Sequence, residues 1–213
     1  MTAVLCYGDS NTWGYAASTQ ERLGRWERWP GVLQRELGDV VHVIEEGQNG
    51  RTTVFDVPFV PDRNGRTYLP VSLQTHAPLD AVVIDLGTND LFLPGVGAYD
   101  AARGAFTLAE LVMTSGSGPR DGAPAILVLV PPPFAELVGW ERAAWPDATA
   151  ESERFSQAYR DLAEASAAEG MEFALLDLRD HVASSPVDGI HFEAEGHRAI
   201  GVAVAERLRS TLG

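Results

Sequence analysis

Residue types that together can cleave an ester stand near the two ends of this 213-residue chain. Ser10 follows Gly8-Asp9, and Asp188-Gly189-Ile190-His191-Phe192 supplies a carboxylate and an imidazole three positions apart. A serine hydroxyl is a weak nucleophile and needs an adjacent base. Imidazole titrates in a suitable range, and a carboxylate on its second nitrogen fixes the tautomer and steadies the imidazolium. Acyl transfer also builds negative charge on the attacked carbonyl oxygen, which calls for fixed donors. Asn89, within Gly87-Thr88-Asn89-Asp90, offers a side-chain amide, and Gly50, within Asn49-Gly50-Arg51, offers a backbone N–H. A serine in such a turn also suits a helix cap, so the stretch around Ser10 by itself leaves both readings open.

These residues sit just past segments that read as strands. Residues 3–7 form a short apolar run bounded by Gly8, the pattern of a buried strand, and Gly8 permits a tight turn. Ser10 then lies beyond a carboxyl end, where open α/β sheets bind ligands. Further strands are predicted at 40–44, 81–86, 125–130 and 172–176, with a near-continuous apolar run at 81–86 that suits a parallel strand covered on both faces. Helices are predicted from Pro30 to a stop at Gly38, then at 70–76, 99–113, 151–168 and 193–212. Strands alternating with helices predict a three-layer α/β/α architecture with a parallel sheet, and five strands fit a flavodoxin-like order 2-1-3-4-5.

The set of motifs resembles the SGNH (GDSL-type) hydrolase family. Gly8-Asp9-Ser10 matches its nucleophile block, Gly50 its glycine block, Gly87-Thr88-Asn89-Asp90 its asparagine block and Asp188-Gly189-Ile190-His191 its final block, in the family's order and across residues 8–191. The neighbouring stretches Ile44-Glu45-Glu46-Gly47, Arg51-Thr52-Thr53, Tyr68-Leu69-Pro70 and Pro78-Leu79-Asp80 look like the bacterial arylesterase/acyltransferase branch. Two positions depart: Asn11, where the family usually has an apolar residue, and Asn49-Gly50, where that branch can carry Ser-Ala. The resemblance implies Ser10, Asp188 and His191 as catalytic residues and Ser10, Gly50 and Asn89 as oxyanion donors. It implies the same sheet order, a small-molecule ester substrate and no cofactor.

Length and composition are consistent with one soluble domain: 45% hydrophobic and 22% charged residues. The net charge of −14 argues against nucleic acid or an anionic membrane surface as partner. All 16 basic residues are arginine. Cys6 is the one cysteine, so a disulfide framework within the chain is excluded, and its place in a strand makes it a poor nucleophile. The nucleophile motif lies close to Met1, which leaves no room for a signal sequence and sets the expectation of a cytoplasmic protein. His191 and His197 lack the spacing of a metal pair, and no metal is expected. Glycine-rich nucleotide motifs are absent, and Ser117 between Gly116 and Gly118 precedes a strand, unlike a nucleophile elbow. Glu45-Glu46 reads as a strand-end turn, and His76 as structural or surface.

Trp13, Tyr15, Thr88, Ile190 and Phe192 flank the motifs and are expected to line the acyl or alcohol site, with Trp13 and Phe192 equally suited to the core. Bulky groups so near Ser10 favour a short acyl chain. Residues 134–145 carry Leu137, Val138, Trp140 and Trp145 without regular period, which suits a loop folded on the core, a pocket wall or a homo-oligomer contact. Two other functions fit the pattern. One is a carbohydrate O-acetyl esterase, with loop tryptophans stacking on sugar. The other is a non-catalytic binding module on the same fold.

Overall fold

The structure, a computed structural model, describes residues 2–212. Its centre is one five-stranded parallel sheet in the order β2-β1-β3-β4-β5. The strands are β1 (Thr2–Gly8), β2 (Val41–Gly47), β3 (Ala81–Asp85), β4 (Ala125–Val130) and β5 (Ala174–Asp177). Side chains alternate across a strand, so each face of the sheet gathers its own core. Leu5, Tyr7, Val82, Ile84, Val128 and Val130 pack on one side with α3 (Gly65–His76), α4 (Ala98–Met113) and α7 (Phe155–Ala168). Val4, Cys6, Val83, Leu127 and Leu129 pack on the other with α2 (Trp29–Leu37) and α8 (Ala194–Leu212). Each fully buried Leu, Ile or Val is worth about 1.5–3 kcal/mol. Burial and the nearby Glu45 and Asp85 push the Cys6 thiol well above its ordinary range, so it is an inert core residue.

Register sets the level of the functional loops. Gly8 pairs with Gly47 on one side and with Asp85 on the other, so β1, β2 and β3 end side by side. A Cβ at Gly8 would stand 2.0 Å from Thr12 Oγ1 and 2.8 Å from the Asp85 carbonyl, so close approach, more than turn geometry, is what demands glycine. The chain turns at once into the four-residue α1 (Ser10–Trp13), capped by the Asp9 carboxylate, which accepts the Asn11 N–H at 2.9 Å.

Several elements differ from their predicted extents. The predicted helix 70–76 begins earlier, at Gly65, because Asn64 caps it through the Arg66 N–H at 3.0 Å; Pro70 lies inside rather than at the start. The predicted helix 151–168 is broken into α6 (Ala148–Ser152) and α7. Ser152 Oγ accepts the Phe134 N–H at 2.8 Å, which ties that turn to the loop after β4. Residues 134–145 hold a further short helix, α5 (Gly139–Ala144), and leave Trp140 exposed. Glu45 forms ion pairs with Arg28 and Arg22, and Glu46 Oε1 lies 3.0 Å from His76 Nε2, so both carboxylates are engaged. Among the described residues no helix is long and apolar enough to cross a membrane.

Three aspartates are buried at the strand ends: Asp9, Asp85 and Asp90. Burial pushes the Asp90 carboxyl up to about 7, against the pull of hydrogen bonds from the Thr53 hydroxyl and backbone. An unfolded aspartate ionises near 4, so between roughly pH 4 and 7 the folded protein keeps a proton that the unfolded chain has lost. Stability therefore falls as pH rises through that window. Asp90→Asn removes this loss. Melting curves at pH 5 and pH 8 should show the Tm of the variant gaining on wild type at the higher pH, and a constant gap would contradict the assignment. A second expectation concerns Asn11, whose Oδ1 is buried without a hydrogen-bond partner among the described residues. Asn11→Leu removes that orphan acceptor and should raise stability by about 1 kcal/mol, a Tm gain of roughly 2–4 °C for a chain of this size. A fall in Tm on thermal denaturation would refute it.

Candidate active site

The loop between β5 and α8 folds on its own aspartate. Asp188 Oδ1 accepts the backbone N–H groups of Ile190 at 2.9 Å and His191 at 3.0 Å, while Oδ2 stands 2.7 Å from His191 Nδ1. The opposite ring nitrogen, Nε2, is 2.9 Å from Ser10 Oγ. Ser10, His191 and Asp188 thus form one hydrogen-bonded line spanning 181 positions of sequence. Burial alone would raise the Asp188 carboxyl. The His191 hydrogen bond and the two backbone donors outweigh it and hold the carboxyl below its usual range, ionised and able to orient the imidazole. The Tyr15 ring lies against His191 with centroids 4.4 Å apart.

The donors come from the ends of β1, β2 and β3. Gly50 adopts φ +73°, a left-handed conformation that favours glycine. Neither the Ser10 nor the Gly50 N–H has an acceptor among the described residues. Asn89 stands in the short 3-10 turn after β3, Thr88–Phe92, with Nδ2 3.0 Å from the Arg51 carbonyl and 3.1 Å from Asp9 Oδ2. The arrangement can therefore place a hydroxyl, a base and three N–H-bearing groups around one carbonyl carbon.

The five flanking residues divide. Tyr15 meets His191 directly. Trp13 is half-buried, with the Arg22 guanidinium 4.9 Å from the ring centroid and its Nε donating to the Trp13 carbonyl at 2.8 Å. Ile190 is half-buried and leans on the core around β3 and β4. Thr88 is buried and leaves almost no surface for a ligand. Phe192 requires a correction: it lies in the core on the α2/α8 face, 1% exposed and edge-on to His197, because adjacent residues of an extended loop point opposite ways and His191 takes the open side. His197 itself is buried, accepts the Trp29 N–H at Nδ1, and is driven down to about 4 chiefly by desolvation, so it is a neutral core histidine.

Arg51 and Asp9 are the parts that motif reading passed over. The Arg51 guanidinium is buried, donates to the carbonyls of Gly8 at 2.7 Å and of Glu46, and lies 4.1 Å from the Tyr7 ring centroid. It clamps the loop of Gly50 to the ends of β1 and β2. Burial first, then the charges of Asp85 and Asp90, push the Asp9 carboxyl well above its ordinary range, while the Asn11 N–H and Arg51 pull it down. A sequence signal existed for Arg51: an arginine directly after the glycine donor, at a strand end.

A family model described as GDSL-like Lipase/Acylhydrolase family matches residues 6–199. A carbohydrate acetylesterase family member from Sinorhizobium meliloti is 39% identical, with all of both chains covered and a TM-score of 0.90. The native aryl esterase of M. smegmatis is 37% identical over 99% of each chain, also at 0.90. A second carbohydrate acetylesterase from Sinorhizobium meliloti is 34% identical over 99% of this chain and 100% of its own, at 0.91. No curated protein matches the chain. With an acylhydrolase model matched along most of its length and near-superimposable aryl and carbohydrate esterases, the chain belongs to the GDSL-like, or SGNH, hydrolase family and is a carboxylic ester hydrolase.

Proposed function

We propose that the protein is a serine esterase acting on short-chain acyl esters, acetyl esters foremost, through an acyl-enzyme. The observation that carries the reading is the Ser10–His191–Asp188 line, with contacts of 2.9 and 2.7 Å. Ser10 Oγ attacks the ester carbonyl as His191 Nε2 takes its proton. The oxyanion is held by the N–H groups of Ser10 and Gly50 and by the Asn89 amide. Collapse expels the alcohol, which leaves with the proton held by His191. Water, deprotonated by the same imidazole, then attacks the acyl-serine, and the carboxylic acid departs as Ser10 regains its proton. An alcohol in place of water completes an acyl transfer by the same steps.

Acyl size follows from what stands beside the nucleophile. The Tyr15 ring lies tilted against the general base, and Trp13 closes α1. The aryl and acetylated-carbohydrate esters named for the relatives fit a small acyl group on a larger alcohol. A carbohydrate acetyl ester is the second reading for the alcohol side, favoured by one observation. The segment carrying exposed Trp140 is fastened to the histidine loop: the Ala135 N–H donates to the Gly189 carbonyl at 2.9 Å. An exposed indole there offers a flat face for a sugar ring.

Hydrolysis of p-nitrophenyl acetate, butyrate and octanoate should fall steeply with chain length and disappear in Ser10→Ala. Undiminished activity in that variant would overturn the serine mechanism, and faster octanoate turnover would overturn the short-acyl assignment. Acetate release from an acetylated sugar, compared between wild type and Trp140→Ala, tests the alcohol side. A drop of about tenfold in kcat/KM confined to the sugar ester is expected, corresponding to about 1.4 kcal/mol of lost stacking. An equal drop on p-nitrophenyl acetate would remove the sugar-stacking role.

A further inference from the structure

The Asn89 amide nitrogen carries two hydrogens, and both are committed: one to the Arg51 carbonyl at 3.0 Å, the other to Asp9 Oδ2 at 3.1 Å. Each acceptor belongs to the chain neighbour of another oxyanion donor. The Arg51 carbonyl is next in sequence to Gly50, and Arg51 also binds the Gly8 carbonyl through its guanidinium. Asp9 precedes Ser10, and its second oxygen accepts the Asn11 N–H at 2.9 Å, fixing the first turn of α1 on which the Ser10 N–H stands. Asn89 is thus the junction of three strand ends, and Asp9 is the link between that junction and the nucleophile turn. Neither carboxylate oxygen is spare, and Asp9 is 1% exposed, so water does not substitute for a lost bond.

We propose that Asp9 is a positioning residue of the oxyanion hole, its carboxylate setting the Asn89 amide in register with the donors of Ser10 and Gly50. The inference rests on the serine-esterase reading above. The oxyanion draws on Asn89 by sharing an N–H already aimed by Asp9, so the donor is held in place before the substrate arrives and needs no reorganisation as charge develops. An asparagine at position 9 has one acceptor oxygen for two donors and turns an NH2 group toward one of them. One link must break, and the broken link is felt in the transition state rather than in ground-state binding.

The test is a double-mutant cycle on p-nitrophenyl acetate. Asp9→Asn is expected to lower kcat roughly 10- to 100-fold with KM within about twofold. Asn89→Ala is expected to lower kcat by about 10²–10³, and Asp9→Asn placed on top of Asn89→Ala should cost less than about threefold more. Multiplying losses, or a loss expressed in KM, would overturn the proposal and assign Asp9 to folding alone. A second measurement stands independently of whether Asp9→Asn folds. In the wild-type protein the side-chain amide protons missing from the Asn89→Ala NMR spectrum should exchange slowly with solvent, and fast exchange would refute their double commitment. Inactive wild type, or active Ser10→Ala, would instead remove the esterase reading, so the two failures are distinguishable.

Discussion

A buried hydrogen bond, Thr12 Oγ1 to Asp85 Oδ2 at 2.7 Å, holds the turn after β1 against the end of β3. The seat of α1, and with it the position of Ser10, rests on that contact. It is reachable only because Gly8 has no Cβ to separate Thr12 from the sheet. Once α1 is seated there, Ser10 faces the loop after β5, and Asp9 faces the turn after β3. The requirement works in both directions: a strand register shifted by one residue would move Asp85 to the other face and leave α1 without an anchor.

Burying the carboxyls of Asp9, Asp85 and Asp90 at the strand ends is electrostatically expensive. The fold meets the cost in three ways. Hydroxyls and backbone N–H groups of Thr12, Thr53 and Asn11 satisfy the oxygens. The buried Arg51 guanidinium supplies positive charge from the β2 side. Burial raises the affinity of all three carboxyls for protons, with Asp85 pushed up to about 6 and Asp90 to about 7. Asp188 is the opposite case. It is only half-buried and faces His191, so its hydrogen bonds prevail and it stays ionised. One fold therefore keeps two kinds of aspartate, set by what surrounds each.

The architecture was legible because apolar runs and glycine stops are local signals. The β4 span 125–130 follows from a local apolar run, and the order 2-1-3-4-5 is one that five alternating strands fit and that the family resemblance implies. Helix boundaries were less legible wherever a long-range bond decides them. Ser152 breaks the helix before α7 because Phe134, eighteen residues away, needs its hydroxyl. Asn64 starts α3 five residues ahead of Pro70 by capping with a side chain that sequence alone places in a loop. By its nearness to His191 in sequence Phe192 suits the site as well as the core, and the core claims it, since neighbours on an extended segment face opposite sides.

The sequence by itself determined the residue types that ester cleavage requires, because a serine, an imidazole and a carboxylate stand in those blocks, and it determined the layered sheet, because periodicity is written residue by residue. Only the tertiary structure decided which groups meet. The Ser10–His191 distance depends on β5 and α8 closing over 181 positions, and the double commitment of Asn89 depends on three strands ending at one level. Those are properties of register and packing, and no window of sequence contains both partners.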